Sequence, residues 1–234
     1  MKIIFTGGSG RFGEVFKKKT NFKDILFPTK KELDILNLKQ IQRYLLKKKP
    51  NILIHAAGLS RPMDIHEKQI NLSIDNNIIG TCNLVKVCKK LKIKLVYLST
   101  SYVYPGSKGN YKETSPLLPY NNYAWSKLGG ECAVQMYKNS LILRVCMTEK
   151  PFIHKFAFKD LITNFIFHED VVKIFPKLIR KRGIINLGGK SQTVYNFAKS
   201  ENIKVKKISA KKFFGMKRKI DIGMNLGKLK KIIN

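Results

Sequence analysis

The chain has 234 residues, of which 44% are hydrophobic, so it can build a sizeable core without disulfide or metal support. Its four cysteines show no metal-ligand spacing and no apolar run could span a bilayer, so we expect a reduced cytoplasmic protein with no leader, membrane span or metal site. The net charge of +31 attracts anions, but the lysines are spread along the chain and arginine occurs only seven times, so no specific nucleic-acid partner is expected.

Short apolar runs rich in Ile, Leu and Val alternate with amphipathic helical patterns over the first two thirds of the chain. Strands are expected at 2–6, 24–27, 51–57, 94–100 and 140–146, and helices at about 10–18, 38–48, 76–90 and 123–137. This alternation is typical of parallel strands joined by helices that cover both faces of a sheet. We therefore predict an α/β fold with a Rossmann-type doubly wound parallel sheet.

A glycine-rich segment, TGGSGRFG at 6–13, follows the first strand and opens the first helix. Gly7 permits a tight turn, Gly10 lets backbone amides approach a pyrophosphate, and Gly13 allows the helix to pack closely on the strand. Arg11 and Phe12 lie between these glycines, and we include them among the cofactor-binding residues. The loop predicts a dinucleotide site, and the alternative is an ordinary glycine-rich turn.

The end of the second strand lacks the acidic residue that would bind the adenosine ribose of NAD(H). Thr29, Lys30 and Lys31 stand there instead, and cations at this point suit the 2′-phosphate of NADP(H). Together with Arg11, Lys30 leads us to favour NADP(H) over NAD(H). The alternative, that these lysines only reflect the general lysine excess, stays open.

Tyrosine precedes lysine by four residues at four places: Tyr44 and Lys48, Tyr104 and Lys108, Tyr123 and Lys127, Tyr195 and Lys199. Helical residues four apart share one face, so Lys127 is expected to approach the Tyr123 hydroxyl and, with a cationic nicotinamide, to lower its pKa. Thr100 ends the strand before this helix and Tyr123 begins the helix, so both are expected at the carboxyl edge of the sheet. The other three pairs lack this setting and are expected to be surface residues.

Several segments in the same order resemble the extended short-chain dehydrogenases/reductases of the epimerase/dehydratase type. They include TGGSGRFG, HAAG at 55–58, LVYLSTSYVYPG at 95–106, YAWSKLGGE at 123–131 and INLGG at 185–189. Within that superfamily the chain is most similar to dTDP-4-dehydrorhamnose reductase-like proteins. Two residues depart from the pattern, since Ser101 stands where those reductases carry Asp and Trp125 where they carry Gly.

The resemblance implies roles for individual residues. Thr100, Tyr123 and Lys127 would be catalytic, and Tyr123 and Lys127 would also contact the cofactor. Four further positions have implied cofactor roles: Asp34 would contact the adenine amino group, and Ala56, Ala57 and Gly58 would line the cofactor through their backbone. Asn77 would lie on a helix that supports the site. The open alternatives are a turn residue for Asp34, packing for the alanines and a helix-surface position for Asn77.

The activity that the resemblance implies is NAD(P)H-dependent reduction of a nucleotide-linked 4-keto-6-deoxy sugar, in sugar-nucleotide or surface-polysaccharide biosynthesis. An epimerase or dehydratase, or a non-enzymatic dinucleotide-binding regulatory member of the fold, stays open. The alternation of strands and helices breaks down after Arg144. We therefore predict an NAD(P)-binding Rossmann domain at 1–150 and a short, trimmed C-terminal substrate-binding region at 151–234 packed on it. The predicted partner is a nucleotide-sugar substrate, and a homodimer is left open.

Overall fold

The computed structural model describes residues 1–201, 204–215 and 220–234. Up to residue 150 the elements are β1 (Ile3–Thr6), α1 (Arg11–Lys19), β2 (Ile25–Leu26), α2 (Leu38–Lys48), β3 (Ile52–His55), α3 (Ile65–Lys68), α4 (Ile70–Ser73), α5 (Gly80–Lys90), β4 (Lys94–Thr100), α6 (Asn122–Gln135), β5 (Ser140–Val145) and β6 (Met147–Thr148). They continue with β7 (Phe156–Phe158), β8 (Leu161–Thr163), β9 (Ile166–Phe167), α7 (His168–Leu178), β10 (Gly183–Leu187), β11 (Gln192–Thr193), α8 (Val194–Glu201), β12 (Lys206–Ile208), α9 (Ala210–Phe213), β13 (Ile220–Asp221) and α10 (Gly227–Ile233).

A six-stranded sheet in the order β10-β5-β4-β3-β1-β2 forms the centre of the fold. Every neighbouring pair is parallel, with Ile3 of β1 opposite both Ile25 of β2 and Ile52 of β3. The residues of β3, β4 and β5 are buried throughout, which explains why their sequences are continuous apolar runs. The predicted α/β fold with a Rossmann-type doubly wound sheet is confirmed.

Helices cover both faces of this sheet because successive strand residues point to opposite sides. Phe5 of β1 packs with Phe16 of α1, with ring centroids 4.7 Å apart, and Phe16 meets Phe175 of α7 edge to face. On the other face, Ile4 of β1 joins a cluster that includes Ile41 of α2 and residues of α5 and α6. Each such buried side chain contributes roughly 1.5–3 kcal/mol, so the two clusters hold the layers together.

The sheet has a crevice where its connections change direction. From β1 the chain moves outward to β2, then returns to β3 on the other side of β1 and continues to β4 and β5. Ligands of doubly wound folds bind at the carboxyl edge beside such a point. The loops after β1 and β3 meet there, because a Cβ added to Gly7, whose φ is +81°, would lie 2.6 Å from the Ala57 nitrogen.

One long helical stretch combines α4, a π-helical segment over Ile74–Ile79, and α5. The sequence predicts a helix over 76–90, and the structure begins the stretch earlier, at Ile70. A π-helical segment widens the backbone by one residue and is frequent at functional sites. Here it carries Asn77, whose side chain is buried toward the site.

Residues beyond 150 contribute to the central sheet as well as forming smaller sheets. β10 pairs with β5 at the edge of the central sheet, and α7 covers one of its faces. The rest builds a three-stranded sheet in the order β11-β8-β13 and the pairs β12-β7 and β6-β9. A separate core that includes Phe152, Phe167 and Phe197 holds this part together. The division at residue 150 stays a prediction, because the sheet draws a strand from each side of it.

Candidate active site

The glycine loop joins β1 to α1 in a compact turn. A Cβ on Gly13 would collide with the Gly7 carbonyl oxygen and lie 2.8 Å from the Gly8 carbonyl carbon, so only glycine fits there. Gly10 is the N-cap of α1 and offers no side-chain cap, which leaves the first amide groups of the helix for an anion. Among the described residues, a Cβ added to Gly10 would meet only the Gly7 carbonyl oxygen, at 3.3 Å. The loop therefore has the shape that a pyrophosphate needs.

The side chains of Arg11 and Phe12 have different surroundings. Phe12 is buried and packs against Phe5 and His168, with ring centroids 6.1 and 5.6 Å apart, so its side chain belongs to the core. Arg11 is exposed, and its Nη1 lies 2.7 Å from Glu149 Oε1. The predicted cofactor contact of Phe12 is therefore restricted to its backbone, while the Arg11 guanidinium is engaged by a carboxylate.

The loop after β3 contains Ala56, Ala57 and Gly58 and is fixed by Asn77. The Asn77 side chain accepts a hydrogen bond from the Leu59 amide at 2.8 Å and donates one to Ser126 Oγ at 2.8 Å. A Cβ on Gly58 would lie 2.7 Å from Asn77 Oδ1. Asn77 therefore ties this loop to α6, the helix that carries Tyr123 and Lys127.

Lys30 and Asp34 lie in the segment between β2 and α2. Lys30 is exposed, and Asp34 is half-buried with its Oδ1 accepting a hydrogen bond from the Leu36 amide at 3.0 Å. That contact is an Asx turn, which was the alternative role for Asp34. The contacts of Asp34 with an adenine and of Lys30 with a 2′-phosphate stay predictions.

Thr100 and Tyr123 are brought together at the carboxyl edge. Thr100 is the last residue of β4, and Tyr123 lies in the first turn of α6, whose N-cap Asn121 accepts a hydrogen bond from the Ala124 amide at 2.8 Å. The Thr100 side chain acts on the Tyr123 phenol and lowers its pKa. The cap fixes where the helix begins and so fixes the tyrosine beside the strand end.

Lys127 follows one helical turn later and is buried, with its Nζ 4.2 Å from the centre of the Tyr97 ring. This cation–π contact replaces only part of the hydration that the ammonium loses. Burial lowers the pKa of Lys127 to about 7, against the opposing effect of the Glu131 carboxylate. The lysine is therefore poised to hold or release a proton near neutral pH.

The pKa of Tyr123 is set mainly by burial. Burial raises it to about 12, although the hydrogen bond with Thr100 and the charge of Arg61 act to lower it. Desolvation of the phenolate outweighs the lowering by Thr100 and Arg61. The phenol of Tyr123 is consequently protonated at neutral pH. The expected lowering of this pKa by Lys127 together with a cationic nicotinamide stays a prediction.

The other tyrosine–lysine pairs are not all surface residues. Tyr104 is fully buried, and its hydroxyl donates a hydrogen bond to Asn186 Oδ1 at 2.7 Å, so the surface expectation is wrong for this residue. Tyr44 and Tyr195 are partly buried, and the lysine of each pair stands over its own tyrosine ring, at 5.8 and 6.0 Å from the centre.

A buried ion pair fixes α6 against the sheet. Arg144 Nη2 of β5 lies 2.6 Å from Glu131 Oε1, and both side chains are almost inaccessible to solvent. Ser99 of β4 donates to the same carboxylate at 2.6 Å, and Arg144 donates to the Tyr104 hydroxyl at 2.9 Å. This network holds the helix of Tyr123 in register with the strand of Thr100, and no role for Glu131 follows from sequence spacing alone.

Arg61, Glu149 and His66 are site residues that the sequence analysis missed. Glu149 lies 3.3 Å from Arg61 as well as 2.7 Å from Arg11, and the His66 ring is 5.1 Å from that of Tyr123. The only signal for Arg61 was its position three residues after the HAAG loop in a chain with few arginines. Nothing in the pattern around Glu149 or His66 pointed to the site.

The two departures from the reductase pattern lie in contrasting environments. Trp125 is 49% exposed on α6. Ser101 is fully buried directly after Thr100, in a short turn that ends β4. A serine there keeps the position small and polar without adding a carboxylate beside the phenol of Tyr123.

Residues 1–150 match the family model described as RmlD substrate binding domain. The chain is 33% identical over 154 residues to methionine adenosyltransferase 2 subunit beta of Xenopus laevis, a match covering 62% of this chain and 46% of that protein. It is 29% identical over 152 residues to dTDP-4-dehydrorhamnose reductase of Aggregatibacter actinomycetemcomitans, covering 63% and 51%. The chain therefore spans about half the length of these relatives.

The fold is similar over nearly its whole length to a solved structure. The crystal structure of dTDP-4-dehydrorhamnose reductase from Bacillus anthracis in complex with NADP superimposes with a TM-score of 0.80 and 25% sequence identity, covering 95% of each chain. The similarity therefore extends past residue 150, into the part that the family match does not reach.

Proposed function

This chain belongs to the RmlD substrate binding domain family, and from that membership we propose that it reduces a nucleotide-linked 4-keto-6-deoxy sugar with NAD(P)H. The observation that carries the proposal is the placement of Thr100, at the end of β4, and of Tyr123, in the first turn of α6, at the carboxyl edge. Both residues stand beside a crevice whose glycine loop leaves room for a pyrophosphate. The similarity to two dTDP-4-dehydrorhamnose reductases supports the substrate class.

A nicotinamide dinucleotide fits the crevice, because the uncapped start of α1 and the open face of Gly10 suit its pyrophosphate. When bound, the reduced nicotinamide supplies a hydride to the carbonyl carbon. The residues proposed to hold it are Gly7, Gly10, Arg11, the Phe12 backbone, Gly13, Lys30, Asp34, Ala56, Ala57, Gly58, Asn77, Tyr123 and Lys127. NADP(H) rather than NAD(H) is proposed, supported by exposed Lys30 in the segment between β2 and α2.

Tyr123 would donate its proton to the carbonyl oxygen as negative charge develops there, so that the ketone gains a hydrogen at carbon and one at oxygen. Thr100 would donate a second hydrogen bond to the same oxygen, a contribution worth about 3 kcal/mol in comparable sites. Lys127, whose pKa lies near 7, would restore the proton to Tyr123. An acid that is already protonated at neutral pH suits reduction, whereas an epimerase or dehydratase begins by removing a proton from a sugar hydroxyl.

A second candidate is a dinucleotide-binding subunit without catalytic turnover. It is favoured by the 33% identity to a methionine adenosyltransferase subunit. The buried Lys127 and the Thr100–Tyr123 contact argue for the enzyme instead, because a protein that only binds a dinucleotide has no use for a proton donor beside it.

Kinetics with the purified protein test both candidates. NADPH or NADH is incubated with nucleotide 4-keto-6-deoxy sugars while the absorbance of the reduced cofactor is followed, and stoichiometric oxidation is expected. Tyr123→Phe should lower kcat by about 10²- to 10⁴-fold. Tyr195→Phe is the matched control, since it keeps the same spacing to a lysine but lies in the other core. Cofactor binding without oxidation would favour the subunit, and full activity of Tyr123→Phe would exclude the proposed acid.

A homodimer and a cytoplasmic location complete the proposal. Trp125 on α6 and Met136 directly after this helix are 49% and 86% exposed. Ile74 and Ile79 on the adjacent π-helical segment are 39% and 44% exposed. These four residues, called the α6 stripe below, suit a second copy of the chain. The cytoplasm is supported by four free thiols, because disulfides persist in oxidising compartments. No helix in the described part of the chain is long and apolar enough to cross a membrane.

A further inference from the structure

Three loops at the carboxyl edge are joined by one carboxylate. Glu149, which directly follows β6, places Oε1 2.7 Å from Nη1 of Arg11 and 3.3 Å from Nη1 of Arg61. Arg11 opens α1 after the glycine loop, and Arg61 lies in the loop after β3. The partners are 138 and 88 residues apart in sequence, so tertiary structure alone assembles the group.

This group lies between the glycine loop and the catalytic tyrosine. Arg11 belongs to the turn that suits a pyrophosphate, and the charge of Arg61 acts on the phenols of Tyr102 and Tyr123. Beside it, His168 is buried, and its Nδ1 has no hydrogen-bond partner among the described residues. Burial lowers the pKa of His168, the charge of Glu149 raises it, and the charges of Arg11 and Arg61 lower it. The group is therefore part of the crevice and not an isolated surface ion pair.

The two guanidinium groups retain unused capacity for an anion. Each carries five N–H donors in a planar fork, and Glu149 engages a single nitrogen of each. Their side chains are 44% and 37% exposed, whereas that of Glu149 is 17% exposed. Arginine pairs bind phosphate oxygens in a two-pronged geometry that lysine does not match. In a chain with 46 cations but seven arginines, two arginines converging on one crevice favour such a role.

The carboxylate of Glu149 is charged and occupies the space between the two forks. Burial raises its pKa, but its own backbone amide and the two arginines outweigh that effect and hold the pKa below its ordinary value. A carboxylate offers two oxygens to a guanidinium, as a phosphate does, yet it repels a second anion placed beside it. Glu149 therefore acts on these arginines as a built-in substitute for a phosphate.

We propose that Arg11 and Arg61 form a binding site for the diphosphate group of a nucleotide, and that Glu149 is an internal competitor which this diphosphate displaces. Displacement frees the segment after β6, which leads into the C-terminal part, so binding at the glycine loop is coupled to the placement of that segment. The diphosphate can come from the dinucleotide or from the nucleotide sugar. The identity of these two nucleotides rests on the proposed function, whereas the site itself does not.

Isothermal titration with inorganic pyrophosphate, NADP⁺ and dTDP tests the proposal on the full chain. Glu149→Gln keeps the shape of the side chain and removes its charge, so pyrophosphate should bind about fivefold more tightly than to the wild type. Arg61→Gln should weaken pyrophosphate binding at least about fivefold. In the double variant Glu149→Gln with Arg61→Gln, the tighter binding caused by Glu149→Gln should be lost. The matched control is Asp170→Asn, which breaks an exposed ion pair with Lys173.

The two nucleotides distinguish the source of the diphosphate. A gain for NADP⁺ in Glu149→Gln assigns the site to the cofactor, and a gain for dTDP assigns it to the substrate. Unchanged or weaker pyrophosphate binding in Glu149→Gln, or an equal gain in Asp170→Asn, overturns the proposal. If pyrophosphate responds as expected while neither nucleotide binds the wild type, the site stands and the proposed function fails. Thermal unfolding of each variant verifies that the fold is retained.

Discussion

Burial lowers the pKa of two ionisable side chains near the crevice, His55 and Lys127, but only one of them changes charge near neutral pH. His55 lies between the hydroxyls of Thr6 and Thr81, each 3.0 Å from a ring nitrogen, and burial together with the charge of Lys127 lowers its pKa to about 3. A permanently neutral ring with both nitrogens satisfied is a structural residue. Lys127 has a pKa near 7, so it changes charge in the range where an enzyme works.

Replacing Lys127 by methionine should stabilise the protein at neutral and acidic pH while impairing reduction. Below pH about 7 the lysine is charged in both folded and unfolded chains, so the folded chain bears the full cost of a buried charge. Removing it should raise the free energy of unfolding by about 1–4 kcal/mol. Denaturant titrations of both proteins across pH measure this difference.

The same comparison has a defined pH dependence. Between pH about 7, the pKa of Lys127 in the folded chain, and pH 10.5, its ordinary value, this lysine is protonated in the unfolded chain and neutral in the folded one. The free energy of unfolding of the wild type therefore rises with pH across this window. The advantage of Lys127→Met should therefore shrink across that window and vanish above it. Lys86→Met, on the exposed side of α5, is the control, and it should show no such trend. A pH-independent advantage of Lys127→Met would contradict a depressed pKa.

At the scale of elements, α6 is the part on which the site depends. Its first turn is set by the Asn121 cap, its middle is joined to the π-helical segment through Ser126 and Asn77, and its second half is held by the Glu131–Arg144 pair. These three attachments fix the rotation and height of the helix. A proton donor in the first turn is therefore positioned by contacts spread along the whole element.

Removing one member of the buried pair should cost more than removing both. Glu131→Leu leaves the Arg144 guanidinium buried without its carboxylate, and a loss of about 3–5 kcal/mol in the free energy of unfolding is expected. The double variant Glu131→Leu with Arg144→Met should recover part of that loss, because no unpaired charge remains. Denaturant midpoints and slopes measure the double-mutant cycle. Additive losses would show that the pair makes no net interaction.

The glycine loop is the second element whose function can be separated from its stability. Gly13→Ala forces a Cβ into the backbone of Gly7 and Gly8, and about 1–3 kcal/mol of stability should be lost. Gly10→Ala meets only the Gly7 carbonyl oxygen, so its stability should stay near that of the wild type while dinucleotide binding weakens. Calorimetry of unfolding and of NADP⁺ binding distinguishes the two. Normal binding by Gly10→Ala would contradict a close approach of the pyrophosphate.

At the scale of the whole molecule, the topology of the sheet determines where the lysines at the helix ends lie. The last turns of α1, α2 and α5 each contain two or three lysines. Because crossover helices run antiparallel to the strands, these turns gather at the amino edge, opposite Thr100 and Tyr123. Cations near helix C-termini are stabilising, and the lysines in these three turns lie away from Thr100 and Tyr123.

This charge opposes the proposed homodimer, which makes its salt dependence predictable. Two copies with a formal charge of +31 each repel one another, so raising the NaCl concentration from about 0.05 to about 0.5 M should shift monomer toward dimer. Light scattering would follow the increase from the monomer mass of 26.9 kDa. Met136→Glu should abolish the dimer, whereas Leu118→Glu, at an exposed leucine outside the α6 stripe, should not. A monomer at every salt concentration would refute the dimer.

The sequence by itself determined the layer architecture and the placement of Thr100 and Tyr123 at one edge. Continuous apolar runs specify strands buried on both faces, and parallel strands bring all their ends to the same side. Periodicity and glycine spacing are local signals, and they locate β1, the glycine loop and α6 to within a few residues. They also locate a turn that requires glycine, since Gly13 packs against the backbone of its own loop.

Only the tertiary structure decided the electrostatics. Spacing brings Lys127 near Tyr123 on a helix, but the depth of burial, which depends on every neighbouring element, raises the phenol pKa to about 12 and lowers that of the lysine to about 7. Tyr104 was expected at the surface and is buried because Arg144 and Asn186 surround it. The Arg11, Arg61 and Glu149 group joins residues from three loops, and contacts between distant segments leave no periodic trace in a single sequence.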